Sequence, residues 1–456
     1  MVLISRIPFL YAGYGSEEDS WGIVLAAQNV AETGNYEVSR LPGHPFEEFI
    51  YFLNAHGNYF YYNFLSAIFS VAAVLFFALT LKKLRIKNYL IGTFAFAFTP
   101  VFYVCSTYTI DYVWSLAFIL ISFYVLLEKK LIFSGIFLGF AIGCRITAAC
   151  MLLPFAIILF DKSSEFKKNL LHIFKLSLFS LLTTLILFVP IISRYGAGFF
   201  MFYDQFSYPP ISKVIYKATF GVFGIIGTLG IFYAKIIILI NKFRVRESDL
   251  LSFWKKQNFL FSIYATFLIY IIEYLWIPYK SGYIIPIIPF LIIFFGYYLT
   301  TKQFKIFCCS FILSPFLFGM NLTDDIRGSK YSSLALKFNI SHQEIFIDPI
   351  YGNVISEYSK RKQKMVFTDK IISKITAMKG KFVVICGWWY NEIAVKIKQS
   401  GMELYSDKIV FYINEYQMES YVKSGCKVYF LPEQDKYNDE YSKINSTLLT
   451  ATPFPS

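Results

Sequence analysis

Charge is scarce in this chain. Only 16% of its 456 residues are Asp, Glu, Lys or Arg, where a soluble domain carries about 25%. Together with 56% hydrophobic and 20% aromatic residues, that shortage excludes an ordinary soluble enzyme. The 7 cysteines show no CxxC or metal-ligand spacing, which excludes a thiolate metal site read from spacing. Cys105, Cys144, Cys150, Cys308 and Cys309 lie in apolar runs, where a buried thiol acts as a small hydrophobe. Cys386 and Cys426 are the pair placed where a disulfide could close. The opening "MVLISRIPFLYAGYG" is too short to span a bilayer and lacks the cleavage region of a signal peptide. The chain is therefore expected to begin partway through its first membrane helix.

What the chain has in abundance is long apolar runs. Tyr59–Leu81, Asp111–Leu127, Leu176–Ile192, Phe220–Ile240, Phe259–Trp276 and Tyr283–Leu299 approach the roughly 17 to 25 residues of a membrane helix. The fold class is a polytopic α-helical membrane protein of about 11 spans, read from these runs and their connectors. The net charge of +13 concentrates in the connectors "KKLRIK", "EKK", "DKSSEFKK", "NKFRVRESDLLSFWKK" and "TKQFK". By the positive-inside rule these face the cytoplasm, so the charge reflects topology and not nucleic-acid binding. Segments 14–57, 194–218 and 277–283 then face outward, as does the region beyond 320. Residues 1–320 are expected to form the membrane domain. Residues 321–456 form a small extracytoplasmic α/β domain, because "KFVVICGWW", "KIVFYI" and "CKVYFLP" read as strands separated by helices that end on Gly401 and Gly425. No phosphate loop or dinucleotide fingerprint appears in it.

Acid gathers at one place, "SEEDSWGIVLAAQNVAETG". Capping alone accounts for it. Ser16 would cap the helix with Asp19 at the third position, and the helix dipole favours carboxylates there. Gly34 would stop the helix, and its small apolar residues suit a membrane surface. Other outward-facing groups compete with that bland account. Asp111 opens a membrane helix, where an ionisable group is costly and functional by default, though an N-cap in the headgroup zone is the alternative. Arg145 and Lys280 are cations on the side that the positive-inside rule disfavours, so each needs an anionic partner. His44, in "LPGHPF", is a further cation or donor, though a lone loop histidine is usually incidental. Carboxylates and cations at one membrane face suit chemistry on a lipid phosphate. The cations hold the phosphate, and a carboxylate deprotonates an acceptor or binds a divalent metal.

In these motifs the sequence resembles the membrane-embedded GT-C glycosyltransferases, in the branch of protein O-mannosyltransferases and lipid A aminoarabinose transferases. "DSWGIVLAAQNVAETGNY" is similar in spacing to that branch's first outer loop, with Asp19 on the leading acid and Gly34 on the helix-ending glycine. Ser20 replaces the usual second acid, leaving Glu18 as the residue that could compensate. "PGHP" places His44 on the family's Lys or His before Pro. Asp111 falls on the second acidic motif, Arg145 on the basic residue after a "GLA-x-G" helix, and Lys280, Tyr283, Pro286 and Pro289 on the late "R/K-x-x-Y-x-x-P-x-x-P". The resemblance covers about residues 1–320.

It implies an inverting transfer of a sugar from a polyprenyl-phosphate donor to a glycan, lipid or protein acceptor, outside the cytoplasm at the plasma or inner membrane. Asp19 would be the general base and Asp111 would orient the acceptor. Glu18, His44, Arg145, Lys280 and Tyr283 would bind substrate. Metal dependence varies in the family, and Asp19 and Asp111 would be the ligands of a divalent ion. The absence of an Asp-x-Asp motif agrees with a lipid-phosphate donor. Rival readings are a transporter or flippase for lipid-linked sugars, a polysaccharide polymerase or ligase, and a receptor anchored by its membrane part.

Overall fold

The computed structural model describes residues 1–160, 165–200, 208–242, 250–322, 332–340, 343–431 and 451–453. Parts of the expected connectors 161–168, 194–218 and 241–256 lie outside them. The chain opens with α1 (Val2–Arg6), α2 (Glu18–Thr33) and α3 (Pro45–Phe52). A helical bundle follows through α4 (Tyr59–Lys83), α5 (Tyr89–Ala97), α6 (Pro100–Cys105), α7 (Asp111–Leu127), α8 (Leu131–Cys144) and α9 (Leu152–Leu159). It continues with α10 (Phe166–Tyr195), α11 (Ile211–Ala218), α12 (Phe220–Lys242), α13 (Leu250–Trp276), α14 (Ile287–Tyr298) and α15 (Thr301–Leu313).

Among the described residues four stretches, Tyr59–Lys83, Phe166–Tyr195, Phe220–Ile240 and Gln257–Trp276, are long and apolar enough to cross a membrane. Only 22% of the apolar window of α10 is buried in protein, so its outward leucines are suited to lipid. The run expected over Tyr283–Leu299 is interrupted. A 3₁₀ turn at Ser281–Ile284 precedes α14, whose N-cap is Pro286, a residue with no N–H to continue a helix from the turn.

The bundle fixes the register of its helices through close contacts. Ser122 Oγ donates to Ser134 O at 2.7 Å, Ser134 Oγ donates to Ser122 O at 3.0 Å, and Ser115 Oγ donates to Ala141 O at 3.1 Å. These pin α7 to α8. Gly135 and Gly139 bring α8 against α10, since an added Cβ would stand 2.5 Å from Leu176 O or from Thr183 Cβ. Small residues serve helix contacts in lipid because no hydrophobic force drives association there. Asp111 begins α7 and Arg145 follows the end of α8, so this packing sets their separation.

The C-terminal lobe begins with an antiparallel sheet of β1 (Gly319–Leu322), β2 (Leu336–Ile340) and β3 (Gln343–Asp348), in the order β1-β3-β2. The 25-residue helix α16 (Asn353–Ala377) follows. Then come β4 (Phe382–Ile385), α17 (Tyr390–Gln399), β5 (Ile409–Val410), α18 (Glu415–Lys423), β6 (Lys427–Phe430) and β7 (Ala451–Pro453), a parallel sheet in the order β5-β4-β6-β7. The strand–helix alternation read from the sequence is present, with Gly401 and Gly425 at φ +65° and +78°. The antiparallel sheet and α16 were not anticipated, and β1 straddles the boundary expected at 320. Cys386 and Cys426 are free thiols, the first of them buried.

The lobe covers the first loop. Arg361, 2% exposed, donates to Thr107 O at 3.0 Å and Phe9 O at 3.1 Å. Lys398 pairs with Glu32 at 2.7 Å, and Gln399 Nε2 donates to Tyr14 Oη at 2.8 Å. Leu25 packs against both the bundle core and the lobe core. Helix α2 is therefore enclosed between two protein layers and does not lie on a membrane surface as its composition suggested. Its buried residues run without a polar face from Ser20 to Val24. The cap differs too. Glu17, not Ser16, is the N-cap, no side chain caps the helix, and Asp19 stands at its second position. Gly34 ends the helix as expected, at φ +68° with its N–H on Val30 O.

Candidate active site

With the cap position empty of side-chain bonds, the carboxylates at the start of α2 are free to face elsewhere. Asp19 Oδ2 accepts from the Lys280 ammonium and lies 3.0 Å from Arg40 Nη1. The second arm of Arg40, Nη2, reaches Asp111 Oδ1 at 2.6 Å. Arg145 Nη1 holds the other oxygen, Asp111 Oδ2, at 2.9 Å. Asp111 is fully buried, while Asp19, Arg40, Arg145 and Lys280 keep 15–24% of their side chains exposed. The cap of α7 is Ile110, so Asp111 is a paired carboxylate and not a helix cap. Two acids 92 residues apart in sequence thus share one guanidinium.

Arg40 did not stand out in the sequence. It sits in a loop without a motif, positioned by Glu48 on α3. Glu48 Oε1 accepts from Ser39 N at 2.8 Å and Ser39 Oγ at 2.6 Å, and its other oxygen accepts from Tyr36. The backbone beside Arg40 is thereby fixed through a carboxylate, a charge-assisted bond about twice as strong as a neutral one. Arg145 is held from the other side by aromatic faces, 4.8 Å above the Tyr112 ring and 4.6 Å above Tyr283. Its Nη2 also stands 4.0 Å from Glu273 Oε1, a second group that joins the cluster only in three dimensions.

The acid run divides differently from expectation. Glu17 Oε2 lies 2.7 Å from Lys280 Nζ and shares that ammonium with Asp19. Glu18 turns to the lobe, where Asn391 Nδ2 donates to its Oε1 at 3.1 Å. Burial, reinforced by neighbouring Asp19, pushes the Glu18 carboxyl up to about 9. Of the two glutamates, Glu17 and not Glu18 is the one that shares the Lys280 ammonium with Asp19. His44 also departs from its expected role. Its Nδ1 is 2.6 Å from Cys144 O and 3.7 Å from Asp111 Oδ2. Burial and then the Arg40 guanidinium lower its pKa, so it is a neutral ring donating to the carbonyl just before Arg145. Its bond to Cys144 O ties the loop before α3 to the end of α8, one residue before Arg145.

The electrostatic balance is set by pairing. Burial by itself would raise the Asp19 pKa, but Arg40 and Lys280 overcome it and hold the carboxyl down to about 2. Lys280 is shifted the other way, its burial outweighed by Asp19 and Glu17. A metal ion does not fit this donor set. Both aspartates are taken by guanidinium and ammonium groups, and among the described residues no group of three or more His, Cys, Asp or Glu side chains is placed to hold one.

Beside the Glu17–Lys280 pair lies a cavity of about 290 Å³. One wall is α6 with Pro100, Val101 and Val104, and the opposite wall is α16 with Asn353, Ser356, Glu357 and Lys360. Asp19, Asp111 and Arg145 are not among the residues that line it.

This arrangement, a helical bundle whose segment 14–57 is clamped under an α/β lobe, can be compared with known proteins. No protein-family profile and no curated protein sequence matches the chain. Among solved structures it is similar to ArnT from Cupriavidus metallidurans. The apo form matches at 12% identity over 96% of this chain and 92% of that one, with a TM-score of 0.53. The form bound to undecaprenyl phosphate matches at 10% identity over 85% and 81%, with a TM-score of 0.52. The likeness spans both bundle and lobe, and it establishes a shared fold.

Proposed function

We propose that the chain is a GT-C-type glycosyltransferase that moves a sugar from a polyprenyl-phosphate donor to an acceptor hydroxyl on the outer face of a bacterial-type inner membrane, with inversion. The observation that carries this reading is the Arg40 bridge between Asp19 and Asp111, flanked by Arg145 and Lys280. The undecaprenyl phosphate bound by the ArnT neighbour supports a lipid phosphate as the donor's leaving group. The orientation follows from the basic connectors, and charge alternation among them gives about 11 crossings.

In this reading the acceptor oxygen attacks the anomeric carbon, and its proton passes to Asp19. The bond from that carbon to the phosphate oxygen breaks, and the electron pair leaves with the polyprenyl phosphate. Arg40, Arg145 and Lys280 stabilise the charge that develops on the phosphate, where preorganised donors act most strongly. The same cations silence the base at rest. A carboxylate held near 2 is a poor proton acceptor at neutral pH, because the best base has a pKa near the working pH. An arriving phosphate competes for Lys280 and Arg40, and as they turn to it the basicity of Asp19 rises. Asp111, sealed from solvent, keeps Arg40 and Arg145 in register throughout.

The test is Asp19→Asn in purified, folded protein given a polyprenyl-phosphate sugar and membrane extract as acceptor. Loss of a general base is expected to slow transfer by about 10²–10⁴-fold. Wild-type turnover in that variant would remove Asp19 from the mechanism.

A further inference from the structure

The cavity between α6 and α16 is outside the ion-paired cluster, and its lining has a chemical bias. Asn353, Ser356, Glu357 and Lys360 recur at i, i+3, i+4 and i+7, which places them on one face of α16. Two of their oxygens, Asn353 Oδ1 and Glu357 Oε1, are buried with no hydrogen-bond partner among the described residues. Each costs about 1–3 kcal/mol if left unpaired, so a native ligand is expected to satisfy them. Both are acceptors, and of the lysines that also line the cavity Lys280 is held by Glu17 and Asp19 while Lys217 donates to Tyr279 O, so the groups left to meet a ligand call for a donor. A phosphate dianion has no proton to give and would meet the Glu357 carboxylate. A sugar offers several hydroxyl donors.

The remaining walls agree. Tyr108, Tyr216 and Tyr279 line the cavity beside Ser16, Ser281 and Asn321, and aromatic rings with polar tips suit the C–H faces and hydroxyl edges of a sugar ring. Pro100, Val101 and Val104 supply an apolar floor. The volume of about 290 Å³ is at the lower bound of about 300 Å³ for small-molecule pockets. It has room for a single sugar ring. Its contact with the reacting cluster is the Glu17–Lys280 pair, which lines the cavity and touches Asp19.

We propose that this cavity is the acceptor subsite and that it binds a neutral saccharide unit through its hydroxyls, with α16 of the lobe supplying the recognition. The assignment of that sugar as acceptor rests on the transferase reading above, whereas its binding does not. The acceptor is then a sugar hydroxyl, carried either by a free oligosaccharide or by the headgroup of a glycolipid.

The experiment is saturation-transfer NMR on the full chain in detergent micelles. One arm uses glucose, mannose, N-acetylglucosamine and their disaccharides as probes, and the other a solubilised glycolipid. Binding of at least one sugar is expected in wild type, and a tenfold or greater loss of affinity in Asn353→Ala/Glu357→Leu. Glu357→Gln, which keeps an acceptor oxygen, is expected to recover most of it. If the double variant fails to fold, Val104→Phe fills the cavity from the bundle side and serves instead. Binding in the glycolipid arm alone identifies a lipid-borne sugar, and binding in both arms a sugar recognised without its carrier. Sugar affinity unchanged in both the double variant and Val104→Phe, or no sugar bound by wild type, overturns the proposal. Asp19→Asn separates the two readings. Loss of transfer with sugar binding retained supports both, and transfer retained with binding intact in wild type overturns the transferase reading while leaving the subsite.

Discussion

Two polar regions meet at Lys280, and they differ in how their charged groups are paired. In the cluster of Asp19, Arg40, Asp111 and Arg145, every charged side chain has an opposite partner within hydrogen-bond or ion-pair distance. In the cavity under α16, two buried oxygens have none among the described residues. A saturated cluster resists entry, and a ligand enters only by offering its cations something better than a carboxylate. An unsaturated pocket is already arranged for its occupant. The contrast suits a two-substrate enzyme in which a phosphate must open one site while a neutral group slips into the other.

The most damaging change to the saturated side should be Asp111→Ala. It leaves Arg40 and Arg145 facing each other beside a buried gap, and breaking a buried pair costs about 3–5 kcal/mol. Thermal melting in detergent should fall accordingly, and a melt within a degree of wild type would show that the buried carboxylate is not structural. Arg40→Lys should be milder. It keeps one charge but loses the two-armed geometry that joins the aspartates, and a bidentate guanidinium is not replaced by an ammonium. A loss of one charged hydrogen bond, about 1.5–3 kcal/mol, predicts roughly ten- to hundredfold slower transfer. The falling rate should track the polyprenyl-phosphate KM if Arg40 grips the phosphate.

The smallest expected effect is a matter of pH. Glu18 has a folded pKa raised to about 9 by burial, so the folded chain holds a proton that the unfolded chain releases near 4.5. Stability attached to this group therefore declines as pH rises from about 4.5 to 9. Glu18→Gln should melt with wild type at pH 4.5 and above it at pH 8. Asp19 runs the other way. Its folded pKa is depressed to about 2, so its contribution is present above the unfolded value of 3.8 and lost as pH falls through 2. Melting curves of Asp19→Asn and wild type should converge toward acid, and parallel curves would mean that the pairing is weaker than its geometry.

Some of this was written in local patterns. Apolar runs recur as helices, acid gathers in the segment Glu17–Asp19, and Gly34, Gly401 and Gly425 stop helices at left-handed φ. Asp111, Arg145 and Lys280 could be singled out because each violates what lipid or topology favours at its position. Such signals are short-range, and they survive whatever the tertiary arrangement is.

The division of labour inside the acid run did not survive. Glu17 is the N-cap with extended backbone and Glu18 the first helical residue, so the two side chains leave in different directions and serve different partners. Arg40 and His44 are the same lesson at longer range. One is a loop arginine until Glu48 fixes its backbone beside Asp111, and the other a candidate cation until burial removes its charge. Sequence alone determined that this is a helical membrane chain with Asp111, Arg145 and Lys280 set among apolar runs. The tertiary structure decided which of those charges meet, because ion pairing and burial depend on distances that no local pattern encodes.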